Sequence, residues 1–319
     1  MTEETIKVVV QRRQEQGNRV LVLDLVDAAG GELPPFEAGA HVDLHLGDGL
    51  VRQYSLAGDP GERASYRLGI LKDPNSRGGS VAAHAMLQEG SEIRIGAPRN
   101  HFPLQMGALR TVLVGGGIGI TPMIAMAHAL HNAGKDFDLY YCGRSRAACA
   151  FLDELLAGPF GARVHPHCSD EAGGQRLDLA AALGKGVPGT HVYVCGPAGF
   201  MDWVTGESAA LGFAPAQIHQ EYFQVDTDAS GAAFDVIAKK SGKTVRVEEG
   251  KSIVDALASV GIKVNVSCEQ GVCGTCLCNV LEGVPDHRDV FLTEEEKVDN
   301  DQILLCCSRA KSDTLVLDI

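Results

Sequence analysis

The sequence predicts a multidomain protein: an antiparallel β-barrel, then a parallel α/β domain, then a small α+β domain. Three observations predict this. Up to about residue 102 the chain alternates apolar and polar residues in short runs at 6–10, 20–26, 41–46, 51–56, 66–71 and 93–95, separated by Gly, Pro, Asp and Asn clusters. Many short strands with turn signals between them indicate a barrel. From Thr111 the pattern changes to strand, glycine-rich turn and helix, with further apolar runs at 137–142, 162–165, 191–195 and 218–222 and helical stretches between them, which is the mark of a parallel α/β domain. Finally, a polar, small-residue segment at 225–231 reads as a linker to a last block that opens with a hairpin, 234–238 and 244–247 around Ser241-Gly242, followed by a helix at about 252–260 and a cysteine-rich loop. The expected boundaries are 1–103, 104–224, a linker at 225–231, and 232–319.

The 319 residues suffice for two or three cores, and 45% hydrophobic with 22% charged residues is ordinary for a soluble globular chain. A formal charge of −13 disfavours nucleic acid and anionic membrane and suits a basic-faced protein partner. The N-terminus has no charged-then-apolar signal pattern, and no apolar run approaches the roughly eighteen residues of a membrane span. A cytoplasmic protein is expected.

The ten cysteines are absent from the first 141 residues, unlike a disulfide scaffold. Cys142, Cys149 and Cys168 are expected to pack as small apolar residues. Cys268-x4-Cys273-x2-Cys276, completed thirty residues later by Cys306, has the ligand spacing of a plant-type [2Fe-2S] cluster. Gly271 and Gly274 suit a tight loop whose amide groups approach the cluster sulfurs. A zinc-stabilised binding module using Cys273, Cys276, Cys306 and Cys307 is the alternative chemistry. A disulfide oxidoreductase using Cys273 and Cys276 would leave Cys268 and Cys306 idle.

Two nucleotide-type signals lie in the second block. Gly115-Gly116-Gly117-Ile118-Gly119-Ile120-Thr121-Pro122 follows a strand and leads into a helix-compatible run at 123–130, a turn that lets a pyrophosphate approach the backbone at a helix N-terminus. Cys195-Gly196-Pro197 ends another strand where open α/β sheets bind ligands. In the first block, Arg52-Gln53-Tyr54-Ser55 offers an aromatic plane, a hydroxyl and a cation, as a flavin needs. Asn75-Ser76-Arg77-Gly78-Gly79-Ser80 leads into a short helix at 81–87 and forms a second phosphate-type helix start.

Together these motifs, with Asp286-His287-Arg288-Asp289 and Cys306-Cys307-Ser308-Arg309-Ala310-Lys311, resemble the phthalate dioxygenase reductase family nearly end to end. The family's order is flavin, NAD, then ferredoxin, which implies an FMN-binding barrel, an NAD-binding α/β domain and a β-grasp [2Fe-2S] ferredoxin domain. Carried over by residue, the resemblance implies FMN contacts from Arg52, Tyr54 and Ser55, a strand of Gly69, Ile70 and Leu71 along the ring, and phosphate contacts from Arg77, Gly78, Gly79 and Ser80. Thr121 and Phe223 match positions beside the flavin. Gly115, Gly116, Gly117, Gly119, Arg144, Ser145, Gly196 and Pro197 would meet the dinucleotide, with Cys195 by the nicotinamide. Ser55 and Cys195 are the expected catalytic positions. The cluster ligands would be Cys268, Cys273, Cys276 and Cys306, because the family's fourth ligand precedes x-Ser-Arg; Cys278 and Cys307 would be extra thiols packed nearby.

The chain departs from the pattern in two places. Gln53 stands where relatives often carry Ser or Thr, and Arg144 and Arg146 stand where the adenosine ribose is read. Arginines there can accept a 2′-phosphate, but the family generally uses NADH, which is the expected donor. The resemblance implies hydride transfer from NADH to FMN and single-electron delivery through the cluster to a terminal Rieske oxygenase, of the aromatic-ring dioxygenase or demethylase kind. The acidic run Glu294-Glu295-Glu296 with Asp299 is a candidate steering surface for that partner. A stand-alone flavin reductase with a vestigial ferredoxin domain is the other reading. The family also suggests a monomer.

Overall fold

The structure, a computed structural model, describes residues 5–47, 49–74, 76, 78–223 and 228–319. The chain forms two compact units, divided between Phe223 and Gln224.

The first unit begins with six antiparallel strands: β1 (Thr5–Gln16), β2 (Val20–Asp27), β3 (His41–His45), β4 (Val51–Ser55), β5 (Tyr66–Leu71) and β6 (Glu92–Gly96), ordered β4-β3-β6-β1-β2-β5. The sheet curls so that the end of β4 meets β5 through the Leu56–Leu68 bridge and the Ala57 N–H bond to the Arg67 carbonyl. That contact closes the expected barrel. Inward residues such as Val8, Leu21, Leu23, Val42, Leu44 and Leu68 are fully buried. Between β5 and β6 lies α1 (Gly79–Met86), which starts two residues earlier than its apolar run suggests.

A parallel sheet follows, built of β7 (Arg110–Gly116), β8 (Asp136–Gly143), β9 (Val164–Cys168), β10 (Thr190–Cys195) and β11 (Ile218–Glu221), ordered β11-β10-β7-β8-β9. Its helices are α2 (Ile120–Asn132), α3 (Leu152–Ala157), α4 (Leu179–Leu183) and α5 (Ala198–Ala210). The sheet is covered on both faces, which is why its strands read as continuous apolar runs. Val112, Val114, Val192 and Val194 face α4 and α5, whereas Leu113, Tyr193 and Cys195 belong to the core shared with α2 and the barrel. That shared core makes barrel and α/β sheet one unit. The expected strand at 162–165 lies later, because residues 161–163 form a short 3-10 turn before β9.

The second unit pairs β12 (Phe234–Ala238) and β13 (Lys243–Val247) as a hairpin, crosses through α6 (Ile253–Ser259), and adds β14 (Leu277–Glu282), β15 (Pro285–Asp286), α7 (Glu294–Asp299), β16 (Gln302–Leu304), β17 (Arg309–Ala310) and β18 (Thr314–Leu317). The main sheet runs β13-β12-β18-β14-β16 with β12 and β18 parallel, the mixed topology expected of a β-grasp. Ser252 caps α6 reciprocally with Asp255. Of the expected linker, residues 225–227 lie outside the described residues, while 228–231 are described and hydrogen-bonded to this unit. Among the described residues no helix is long and apolar enough to cross a membrane.

Candidate cofactor sites

Cys268, Cys273 and Cys276 lie in the loop between α6 and β14, and Cys306 follows β16. The fold brings all four sulfurs together. Cys268 interacts directly with Cys273 and Cys306, and Cys306 with Cys276. The loop aims amides at them: the Gln270 N–H reaches the Cys268 Sγ at 3.3 Å and the Thr275 N–H reaches the Cys273 Sγ at 3.5 Å. Backbone groups of Leu305 and Cys306 likewise hydrogen-bond to Cys276. Bonds from Cys273 and Cys306, then the loop amides, outweigh burial and hold the Cys268 thiol well below its ordinary value. In return Cys268 drives the Cys273 and Cys306 thiols upward. Four converging cysteine sulfurs met by N–H donors are the environment an iron–sulfur cluster requires.

The sulfurs run as a chain, Cys273 to Cys268 to Cys306 to Cys276. Cys307 touches Cys306 but is packed in the core, against Ser308 and the face of Gly271. Cys278 lies on β14, half-buried, with its thiol toward the Asn279 carbonyl. Gly271 and Gly274 have φ of 74° and 72°, and a Cβ on either would strike its neighbours, Cys307 and Asp289 at the first and the Phe291 ring at the second. These glycines thus serve the packing of the loop as well as its backbone angles.

In the first unit, alternation along β4 puts Arg52 and Tyr54 on one side and Gln53 and Ser55 on the other. Arg52 lies across the start of α1, so close that a Cβ on Gly79 would collide with its side chain. Gly78 caps this helix at φ 93°, and the Ser80 hydroxyl accepts the Asp73 N–H at 3.1 Å. A guanidinium over a helix N-terminus fits an anionic phosphate group. Arg77 lies outside the described residues. Tyr54 packs against the shared core, and burial pushes its hydroxyl up to about 12, against the pull of Arg52, so the ring stays neutral.

Ser55 is buried at the end of β4, opposite His41. Gly69 and Thr121 meet: a Cβ on Gly69 would lie 2.9 Å from the Thr121 methyl and from the Phe151 ring. Ile70 is buried and Leu71 half-buried on β5, and Phe223 packs against the same core. His84, which the sequence reading missed, ties α1 to β5 through a 2.9 Å bond between its Nε2 and the Ile70 carbonyl. Its signal was a single histidine on the inner side of a short helix. The Gln53 Nε2 is buried and has no hydrogen-bond partner among the described residues.

The glycines of the turn after β7 divide by role. A Cβ on Gly119 would collide with the Cys195 carbonyl, and one on Gly116 or Gly196 would press on Phe200. Close strand-to-turn packing therefore occupies these positions, and Gly115 is likewise crowded by Ile120. Gly117 differs, with φ 57° and open space around it, and is the point where a phosphate can approach the backbone just ahead of α2. Pro197 precedes α5, which starts a second helix beside the first.

Cys195 is fully buried, and burial with the nearby Glu221 raises its thiol well above the ordinary value. It stands as a neutral thiol, not a nucleophile. Glu221 was not anticipated. It is paired in register with Cys195, its Oε2 is buried without a partner, and burial raises its carboxyl to about 8. At the end of β8, the Arg144 carbonyl holds the Asp170 N–H and the Ser169 hydroxyl, and the Ser145 carbonyl accepts the Ala148 N–H. Arg146 is paired with Asp153 at 2.8 Å, whereas Arg144 is exposed and has no ion pair among the described residues. A separate cavity of about 410 Å³, lined in part by Asp24, Arg67, His128 and Glu154, includes none of the predicted site residues.

Comparison with known proteins settles the architecture. Residues 113–205 match the oxidoreductase NAD-binding domain and residues 236–311 the 2Fe-2S iron-sulfur cluster binding domain. The chain is 46% identical to a vanillate O-demethylase oxidoreductase of Pseudomonas sp. (strain HR199 / DSM 7063), over 98% of this chain and all of the relative. It belongs to the phthalate dioxygenase reductase family. The solved phthalate dioxygenase reductase, described as a modular structure for electron transfer from pyridine nucleotides to [2Fe-2S], superposes with a TM-score of 0.78 at 36% identity, covering 99% of this chain and 98% of that one. A carnitine monooxygenase reductase subunit of Escherichia coli (strain K12) is 38% identical over 98% of each chain. The reductase is thus an oxidoreductase of the FMN, NADH and [2Fe-2S] type, and the residues described above fit those groups.

Proposed function

We propose that this reductase draws electrons from NADH and delivers them singly to a terminal Rieske oxygenase acting on an aromatic acid, by dioxygenation or demethylation. When bound, FMN takes a hydride from the nicotinamide and the [2Fe-2S] cluster carries its electrons onward one at a time. The chain's own residues do the rest. Arg52 and the start of α1 bind the phosphate, Tyr54 and β5 shape the flavin pocket, and Gly117 with the N-terminus of α2 receives the pyrophosphate. The neutral thiol of Cys195 and the neutral carboxyl of Glu221 would keep the nicotinamide end free of fixed negative charge. Arg144 is available to the adenosine ribose, with NADH as the preferred donor.

The observation that carries this reading is the nest of Cys268, Cys273, Cys276 and Cys306 with loop amides aimed at it, on a chain that also holds a phosphate cradle and a dinucleotide turn. The demethylase activity in the name of the 46% identical relative supports an aromatic acid as the partner's substrate. A monomer in the cytoplasm fits the family and the absence of a membrane-length helix among the described residues. The deciding experiment is anaerobic NADH titration of purified protein, followed by turnover with candidate oxygenases. A red-brown protein with acid-labile sulfide and a reducible cluster is expected; a colourless zinc protein would overturn the proposal.

A further inference from the structure

Two arginines from the motifs left without a role, Arg288 in Asp286-His287-Arg288-Asp289 and Arg309 after Cys306, converge on the start of the second unit. Arg288 grips Asp286 with two bonds at 2.9 and 2.7 Å and donates to the carbonyls of Asp228 and Ser230. Arg309 is 2% exposed, stacks over Phe234, and donates to the carbonyls of Lys251, Gly231, Ala232 and Glu248 at 2.7 to 3.3 Å. Gly231 passes between the two guanidinium groups at φ 129°; a Cβ there would lie 3.3 Å from each. The Ser230 N–H and hydroxyl close a turn on Asp228, and the Gly250 N–H bonds the Ala229 carbonyl. A segment whose composition reads as flexible is therefore held at several consecutive carbonyls.

The same residues hold the cluster loop. Asp289 accepts the Leu292 N–H and the Ser308 hydroxyl, the Arg288 N–H donates to the Ser308 hydroxyl, and the Val290 N–H donates to the Gly271 carbonyl. Arg309 is three residues beyond Cys306 and Gly271 lies within the ligand loop. One hydrogen-bonded assembly thus ties the entering chain to the segments that carry the cluster ligands.

We propose that Arg288 and Arg309 are positioning residues that clamp residues 228–232 onto the second unit and, through the bonds of Ser308, Asp289 and Val290, steady the segments that carry the cluster ligands. The proposal rests on the [2Fe-2S] cluster assigned above.

The test uses the full-length holoprotein and its Arg288→Gln and Arg309→Lys variants; Arg288 is on the surface side of the clamp, so its variant stands even where the buried Arg309 change impairs folding. Two readouts are taken: hydrogen–deuterium exchange of the Gly250 amide, which donates to the Ala229 carbonyl, and the rate at which a chelator bleaches the oxidised cluster, with flavin reduction by NADH as control. Expected are roughly tenfold faster exchange, roughly tenfold faster cluster loss, and unchanged flavin reduction. Unchanged exchange overturns the clamp. Faster exchange with unchanged cluster loss overturns the positioning role. A wild-type protein that holds no cluster overturns the assigned cluster and the role with it, while the exchange result still decides the clamp.

Discussion

Glu221 and Cys195 stand side by side at the carboxyl ends of adjacent parallel strands, and the carboxylate end of Glu221 is buried with no hydrogen-bond partner. Burying an unpaired carboxylate is costly, so the group stays protonated and its value rises from 4.5 to about 8. Below 4.5 both folded and unfolded chains hold the proton and stability is unaffected. Between 4.5 and about 8 the unfolded chain loses it first, so stability falls as pH rises, and above 8 the loss is complete. Glu221→Gln keeps a neutral group of the same shape and should flatten that part of the profile. Denaturant midpoints of the two proteins at pH 5 and pH 9 check this, and parallel profiles would sink it.

Arg52 lies over the N-terminus of α1 with Gly79 beneath its side chain. Hydrogen bonds to charged groups are worth about 1.5–3 kcal/mol, so Arg52→Ala should weaken FMN binding by roughly 10- to 150-fold. Flavin fluorescence during titration of the flavin-free protein measures it. Equal affinities would place the phosphate elsewhere.

Much of this was legible in the chain because the decisive signals are local. Cysteine spacing set the cluster loop, and period-two alternation set strands such as β5 and the β12–β13 hairpin at their observed bounds or within a residue. What escaped depends on partners distant in sequence. β1 runs on to Gln16 beyond the expected residue 10, because its polar second half pairs with β2 after a register shift near Val10 and so carries no apolar alternation. The three glutamates at 294–296 sit in a helix: Glu296 closes a capping box with Thr293, and Glu294 pairs with Lys297, which engages part of the expected steering surface in the helix's own bonds. Gly119 and Gly116 read as phosphate glycines, and strand-to-turn contacts add a packing reason for their missing side chains that the motif does not display. Glu221 had no motif at all.

Arg144 and Arg146 look equivalent in sequence, but Asp153 engages only Arg146. Arg144 is then the exposed cation we propose would meet a 2′-phosphate. An exposed charge contact is worth about 0.2–1 kcal/mol, so Arg144→Ala should reduce kcat/KM for NADPH by at most about fivefold and leave NADH little changed. Steady-state kinetics with both donors decide it, and an equal loss for both would assign Arg144 to general dinucleotide binding.

Cys273 contacts Cys268 directly, whereas Cys278 points to the Asn279 carbonyl. Cys273→Ser should therefore abolish the cluster's visible and electron paramagnetic resonance signals and bring NADH-driven cytochrome c reduction to background, with flavin reduction retained. Cys278→Ser should leave all three intact. Retained cytochrome reduction in Cys273→Ser would show the ferredoxin domain to be vestigial.

Gly274 faces two independent obstacles to any side chain: a φ of 72° and the Phe291 ring where a Cβ would stand. The backbone cost of a non-glycine residue there is about 1–3 kcal/mol, and overpacking adds about 1–3 kcal/mol more. Gly274→Ala should thus lower stability by several kcal/mol, and the distorted loop should lose cluster on mild chelation. Phe291→Leu in the same chain removes the ring but not the backbone strain, so the double variant should recover only the packing share. A double-mutant cycle in denaturant, with iron content measured in parallel, separates the two. Full recovery would leave packing alone to explain the glycine, and no recovery would leave only the backbone angle.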